Sequence, residues 1–285
     1  MTECILIGAS GNVGKSLVAL NQNNNILGTS RNKNKSLIQL DPFNKRELKD
    51  LIIKSKTKSV FLLSAISNVE ECRLNTDYSS QINIELPKIV SEITNACNIK
   101  MIFSSTEYIY DGDFEFPKKE NEKYVLPKNV YALQKYCSEK IIQTTNSNSL
   151  ILRLPKMYNL QNPGNFVFDF ISKYKKIKDK AKVAYDQIFS PLSCLDLQKI
   201  LLKSIKLDLK GVYNCGGPES NSRYDYIKDI RNHFSLDVEL YPENFYKLSN
   251  DKTLPLNVSM DSSKLYEQIS YVPFTLKEYL EKFCK

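Results

Sequence analysis

The chain has 285 residues, 42% of them hydrophobic, and a formal net charge of +8. That is enough apolar material for one large domain or two interleaved lobes, yet the longest apolar stretch, Val60 to Ile66, is far too short to cross a bilayer. No basic, apolar leader is visible, the basic clusters at 31–35, 54–58 and 173–182 carry no nucleic-acid reader motif, and Cys4, Cys72, Cys97, Cys137, Cys194, Cys215 and Cys284 lack ligand spacing; the expectation is a cytoplasmic protein with reduced thiols, no bound metal, and no membrane or nucleic-acid partner.

Cys4-Ile-Leu-Ile7 reads as a buried strand. It runs into Gly8-Ala-Ser-Gly11-Asn-Val-Gly14 and then Lys15 to Leu20 at helical spacing. Strand, glycine turn and helix in that order form a dinucleotide cradle. Gly8 permits the turn, Gly11 lets backbone N–H groups reach a pyrophosphate, and Gly14 lets the helix pack on the sheet. Ser10, Asn12 and Val13 complete the loop, and the phosphates sit at the positive end of the helix. A second strand near Ile26-Leu27-Gly28 leads to Thr29-Ser30-Arg31-Asn32-Lys33. An NAD enzyme usually places an acidic residue here for the ribose 2′-hydroxyl. Ser30 and Arg31 suit a 2′-phosphate instead, so NADP(H) is favoured over NAD(H); the alternative is a solvated basic turn. After a third apolar run, Leu37 to Leu40, Asp41-Pro42 is placed near the adenine.

A helix near 44–55, a fourth strand at Ser59 to Leu63, one long helix over 77–97 and a fifth strand at Ile99 to Phe103 follow, and the stretch 118–130 is polar. The next predicted helix, 130–146, carries Tyr131-Ala-Leu-Gln-Lys135. A tyrosine and a lysine four apart lie on one helix face. A cation beside the phenol favours the phenolate and draws its pKa down from about 10. Thr106, delivered from the fifth strand end, can polarise a carbonyl next to that phenol. Together these are apparatus for moving a proton to or from a sugar or alcohol oxygen. Leu150 to Arg153 is the sixth strand. Strands alternating with helices predict an α/β, Rossmann-like, doubly wound parallel sheet. Ser64-Ala65, Thr106 and Pro155-Lys156 fall at strand carboxyl ends, where such sheets hold ligands.

The pattern breaks after 155. Helices are predicted at Asn165 to Tyr174, Leu195 to Ile205, Tyr224 to Phe234 and near 275–283, with a strand at Lys182 to Tyr185, a turn-rich loop at Asp186 to Pro191, and a strand and turn at Gly211 to Pro218. Residues 1–157 are therefore expected to form the dinucleotide-binding domain, to which the chain returns near 186–215. Residues 158–285 are expected to form mainly a smaller substrate-binding lobe. His233, the only histidine, is read as structural or surface.

These pieces, in order, resemble the dTDP-4-dehydrorhamnose reductase family of extended short-chain dehydrogenase/reductases over most of the length. Besides the glycine loop, Ser64-Ala-Ile-Ser-Asn-Val-Glu70 resembles the segment lining nicotinamide and sugar. Ser105-Thr-Glu-Tyr-Ile-Tyr-Asp-Gly112 resembles the family's Ser-Thr-Asp-Tyr-Val-Phe-Asp-Gly, and Pro127 to Lys135 its Tyr/Lys helix. Leu152 to Tyr158, Val183 to Pro191 and Gly211 to Gly217 resemble its later motifs. The resemblance implies hydride transfer from a reduced nicotinamide to C4 of a nucleoside-diphosphate 4-keto-6-deoxy sugar, in deoxysugar or polysaccharide biosynthesis. It implies that Tyr131 protonates the alkoxide, Lys135 lowers the Tyr131 pKa and holds the nicotinamide ribose, and Thr106 positions the carbonyl. It places Ser64, Ala65 and Ile66 by the cofactor, and Ser67, Val69, Glu107, Tyr108 and Lys156 by the sugar. It also implies a homodimer in some members.

Departures are as informative as matches. Lys156 stands where the family packs a Trp on the sugar, Phe189 replaces a Gly and Leu192 a Thr. A cation at 156 cannot serve as an aromatic platform, but it can meet a diphosphate or a carboxylate; the alternative is a solvated strand end. Thr106-Glu107-Tyr108 lacks the second acid of related dehydratases. A nucleotide-sugar epimerase of the same superfamily is a second reading. A third is a non-catalytic, NADP-binding regulatory subunit like that of methionine adenosyltransferase.

Overall fold

The computed structural model describes residues 2–21, 25–112, 115–121, 126–176 and 178–284. Its centre is a seven-stranded sheet: β1 (Cys4–Ile7), β2 (Ile26–Ser30), β3 (Ile38–Gln39), β4 (Ser59–Leu62), β5 (Lys100–Thr106), β6 (Ser149–Leu154) and a last strand, Gly211–Asn214. Every pairing in it is parallel. The reason lies in β1, which is buried at all four positions. Side chains alternate across a strand, so Cys4 and Leu6 join one core cluster while Ile5 and Ile7 join another. A strand with two apolar faces needs helices on both sides, and parallel sheets with crossover helices supply them.

On the first face lie Leu17 of α1 (Asn12–Ala19) and Leu197, Ile200 and Leu201 of the helix Cys194–Lys206. The other face is covered by Leu48 and Ile52 of α2 (Lys45–Ser55) and by the helices that precede and follow β5. The strand order is Gly211–Asn214, β6, β5, β4, β1, β2, β3. Connections from β1 run outward through β2 and β3, then return to β4 on its other side. That reversal opens a crevice beyond the carboxyl ends of β1 and β4.

The single helix expected over 77–97 is instead three pieces after a short α3 (Val69–Leu74): α4 (Thr76–Ser80), a π turn (Gln81–Glu85) and α5 (Leu86–Ala96). Pro87 explains the break. It has no N–H to give the carbonyl four residues back, and that carbonyl, of Asn83, accepts the Ser138 hydroxyl instead. Ser138 belongs to α6 (Val130–Thr145), the Tyr131 helix. Of the polar stretch 118–130, residues 122–125 lie outside those described.

Beyond residue 158 a third apolar cluster gathers Tyr158, Val167, Phe189, Tyr226, Ile230 and Leu280. The strand expected at Lys182 to Tyr185 spans Asp179–Ala184 and pairs in parallel with Val238–Glu243, which the sequence did not announce. Pro242 inside that segment argues against a strand on pattern alone, and an edge position is where proline is tolerated. The helix Ser263–Ile269 was likewise unannounced. His233 Nε2 lies 2.8 Å from the Cys284 carbonyl, against the C-terminal helix. Among the described residues no helix is long and apolar enough to cross a membrane.

α6 is tied to the sheet by a buried ion pair. Arg153 of β6 meets Glu139 at both oxygens, Nε at 3.1 Å and Nη2 at 2.9 Å, with both side chains almost fully enclosed. Its Nη1 donates to the Tyr110 hydroxyl at 2.9 Å, which donates to Asn214 Oδ1 at 2.8 Å. Removing one partner of such a pair strands a buried charge. Glu139→Leu is therefore expected to cost about 3–5 kcal/mol in chemical denaturation, and Arg153→Met/Glu139→Leu to cost less than Glu139→Leu alone. Additive losses would show that the pair is not coupled.

Candidate functional site

At the end of β1, Gly8 adopts φ +98°, and a Cβ there would lie 2.7 Å from the Ser64 nitrogen. A Cβ on Gly14 would lie 2.3 Å from the Gly8 carbonyl oxygen. Both absences let α1 and the β4 end close on the turn. α1 is capped by Gly11 with no side-chain hydrogen bond and has no acidic residue in its first turn. Its leading N–H groups are thus available to an anion, in the field of the helix end.

From this turn a cleft of about 680 Å³ extends to α6. Gly8, Gly11, Asn12, Val13, Gly14, Ala65 and Ser67 line one end; Thr106, Glu107, Tyr108, Tyr131, Lys135 and Lys156 line the other. Ser10, Arg31, Pro42, Ser64 and Ile66 line a smaller cavity of about 200 Å³ that shares Gly8, Gly11 and Ala65 with the first. Three expected residues line neither. Ser30 is buried at the end of β2. The exposed Asp41 folds its carboxylate back to accept from the Phe43 N–H at 3.1 Å. Val69 begins α3.

Helix α6 starts cleanly because Asn129 caps it, its side chain accepting from the Ala132 N–H at 2.9 Å. One turn in, Tyr131 and Lys135 face the cleft, both buried. Burial pushes the Tyr131 phenol well above its ordinary value, partly offset by the adjacent Thr106 hydroxyl. Burial also pulls Lys135 down to about 7, with Glu139 opposing. The Lys135 ammonium lies 4.0 Å from the centre of the Phe103 ring. The sequence suggested that lysine would draw the phenol towards neutrality; in the protein itself desolvation outweighs that effect for both groups.

The π turn supplies a part that sequence reasoning did not assign. Asn83 holds Ile66 at both backbone groups, accepting from its N–H at 2.9 Å and donating to its carbonyl at 3.0 Å. It also donates to Gln134 Oε1 at 2.8 Å, and Gln134 donates to Ser79 Oγ at 2.8 Å. The segment lining the smaller cavity is thereby locked to the helix carrying Tyr131. Pro87, four residues after Asn83, was the signal in the sequence.

The far wall is charged. Glu107 is buried, its Oε2 has no hydrogen-bond partner, and burial raises its carboxyl to about 7 against the pull of Lys156 and Arg223. The Ser105 hydroxyl, in the same cleft, is also buried without a partner. Unsatisfied buried polar atoms are costly, and two on one wall leave capacity for further hydrogen bonds there. Lys156 donates to the Tyr108 hydroxyl at 3.0 Å, and the Tyr108 and Tyr131 rings meet edge-on with centroids 6.5 Å apart. Arg223, Gly164, Asn159 and Cys194 also reach the cleft. None was expected from sequence, because each comes from the C-terminal half of the chain. Asn12 donates to the Gly164 carbonyl at 3.4 Å and Asn162 to Ser16 Oγ at 3.1 Å, which holds that half over α1.

The chain resembles known proteins over nearly its whole length. The family model described as RmlD substrate binding domain matches residues 2–285. A dTDP-4-dehydrorhamnose reductase of Aggregatibacter actinomycetemcomitans is 24% identical over 79% of this chain and 77% of its own. The spore coat polysaccharide biosynthesis protein SpsK of Bacillus subtilis is 23% identical over 100% of this chain and 98% of its own. The dTDP-4-dehydrorhamnose reductase of Bacillus anthracis, solved in complex with NADP, superposes with a TM-score of 0.87 at 22% identity, covering 99% of this chain and 98% of that one. The glycine turn, the strand-end threonine and the Tyr/Lys helix thus stand in a chain that belongs, over nearly its whole length, to the RmlD family of extended short-chain dehydrogenase/reductases.

Proposed function

We propose that the chain is an NAD(P)H-dependent reductase acting on the 4-keto group of a nucleotide-activated 6-deoxy sugar. The observation that carries this reading is the convergence of Thr106, Tyr131 and Lys135 on one wall of a cleft whose other end is the glycine turn. The curated relatives, named as dTDP-4-dehydrorhamnose reductase and as a polysaccharide biosynthesis protein, support it. Residues 1–157, with the return through 186–215, would hold the cofactor, and residues 158–285 mainly the sugar nucleotide.

The residues present fit a dinucleotide. The bare first turn of α1 and the close approach at Gly8 and Gly14 would take the pyrophosphate. Arg31, beside Pro42 in the smaller cavity, would take a 2′-phosphate, so NADP(H) is favoured over NAD(H). A reduced nicotinamide, when bound, supplies the hydride. The chain's own groups handle the oxygen. Thr106 donates a hydrogen bond to the carbonyl oxygen and fixes its direction. Tyr131, kept protonated by its burial, is in the state a proton donor needs and gives its proton to the developing alkoxide. Lys135, poised near neutrality, holds ribose hydroxyls and steadies the phenolate left behind. Glu107 binds sugar hydroxyls.

Tyr131→Phe is expected to lower NADPH oxidation with a 4-keto-6-deoxy nucleotide sugar by about 10²–10⁴-fold while leaving NADPH affinity intact; unchanged turnover would remove Tyr131 from the mechanism. Arg31→Asp is expected to reverse the NADPH/NADH preference in kcat/KM, and an unaltered ratio would detach Arg31 from the 2′-phosphate. A third expectation concerns stability. Lys135 titrates near 7 when folded and near about 10.4 when unfolded. Between those values the unfolded chain binds more protons, so wild-type stability rises with pH across that window. Lys135→Met has no such dependence. Without cofactor, its melting temperature should exceed that of wild type most at pH 7, the gap narrowing towards pH 10. A gap independent of pH would mean that burial does not depress this lysine.

A further inference from the structure

Lys156 and Arg223 line the Glu107 end of the cleft, and both exert a pull on the Glu107 carboxyl. Arg223 opens the helix Arg223–His233, where Ser222 caps the first turn by accepting from the Asp225 N–H. Its Nε donates to Gln187 Oε1 at 2.7 Å and its backbone N–H to the Gln187 carbonyl at 2.8 Å. These contacts leave the outer guanidinium nitrogens uncommitted among the described residues. The guanidinium carbon lies 5.6 Å from the centre of the Phe189 ring, and Lys156 Nζ lies 5.9 Å from the same centre. Phe189 is fully buried, so both cations rest on one fixed aromatic surface. Among the described residues neither reaches a carboxylate within 4 Å, although Glu107 shares the wall.

Both cations are only partly exposed, and burial lowers the Arg223 pKa against the pull of Tyr108 and Glu107. Burial raises the Glu107 carboxyl to about 7 against the pull of Lys156 and Arg223. In its protonated form it can donate to an anionic oxygen. Lys156 is hydrogen-bonded to Tyr108, whose ring packs edge-on to Tyr131, so the charged pair stands one side chain away from the proposed proton donor. A planar guanidinium whose Nη1/Nη2 edge is free suits paired oxygens, as in a carboxylate or phosphate.

We infer that Arg223 and Lys156, backed by Phe189, form an anion clamp that binds a carboxylate or phosphate group of the substrate. This deepens the nucleotide-sugar reading and rests on it. The anionic oxygens belong either to the diphosphate or to an acidic sugar ring, the second replacing the 6-deoxy part of that reading while keeping the nucleotide sugar, and the probes separate the two. Wild type, Arg223→Met, Arg223→Lys and Lys156→Met, each saturated with NADP⁺ to fill the cofactor site, are titrated calorimetrically with UDP, UDP-glucose and UDP-glucuronate. Melting temperature and NADPH affinity matching wild type establish that each variant is folded.

If the sugar ring carries the charge, UDP-glucuronate binds wild type at least about tenfold more tightly than UDP-glucose, an advantage lost in Arg223→Met and partly kept in Arg223→Lys. If the diphosphate does, all three probes bind and all weaken about tenfold in Arg223→Met. Equal binding by wild type and both methionine variants overturns the clamp, as does failure of all three probes to bind wild type. A protein that binds these anions through Arg223 yet oxidises NADPH with no keto sugar would keep the clamp and lose the reductase reading.

Discussion

The site depends on one constraint: the inner face of α6 is polar and yet buried. Tyr131, Gln134, Lys135, Ser138 and Glu139 all point into the protein. A helix with such a face can dock only where each polar group finds a partner. The partners come from several parts of the fold. The π turn gives Ser138 a carbonyl and Gln134 an amide, β6 gives Glu139 an arginine, and β5 gives Tyr131 a threonine and Lys135 an aromatic ring. Because each contact is directional, the axial position and rotation of α6 are fixed together. Asn83 extends this order across the crevice, since the amide that holds Gln134 also holds Ile66. Geometry at the phenol and geometry at the cofactor loop are therefore set by the same few bonds.

The same burial sets the electrostatics. Tyr131, Lys135 and Glu107 are enclosed together, and in each the charged form is disfavoured, so the phenol moves up, the ammonium down and the carboxyl up. A site built this way is protonated at the tyrosine and only partly charged at the lysine near neutral pH. That suits a protein that gives a proton to an oxyanion formed during reaction. Ser105 and Glu107 each keep a buried oxygen without a partner beside these groups, which leaves capacity for a further hydrogen bond in the cleft.

Much of the fold was legible because buried parallel strands leave short apolar runs between helical periods. All six strands to residue 154 and the Tyr131 helix could be read that way, as could the glycine turn whose close approaches the structure shows at Gly8 and Gly14. The cleft joins Thr106, Tyr131 and Lys135, residues whose spacing already suggested one chemistry. What escaped was non-local. Pro87 was visible, but its consequence, a carbonyl freed for Ser138, needs a helix 51 residues beyond it. Ser30, Asp41 and Val69 lie near the cofactor loops in sequence but line neither cavity, because local turns and strand direction carry them away. Arg223 gave no signal, since only the folding of the second lobe brings a helix start at that position to the cleft.

The division between the two halves bears on what this protein selects. Solved structures of similar shape include dTDP-4-dehydrorhamnose reductases and a Thermotoga maritima UDP-glucose 4-epimerase, with TM-scores of 0.87 and 0.79 at 22% and 17% identity. A frame common to proteins with different names cannot itself choose the sugar. Under the proposed reading, choice would come from side chains set on that frame: Glu107 at a strand end, Lys156 after β6 and Arg223 from the C-terminal half in the cleft, with Phe189 behind the two cations. Three of the four are charged. A charge that survives burial interacts more strongly with a bound anion where water is excluded, because the local dielectric falls. The C-terminal half thus brings Arg223 and Phe189 to a cleft whose other cation, Lys156, follows directly from the sheet.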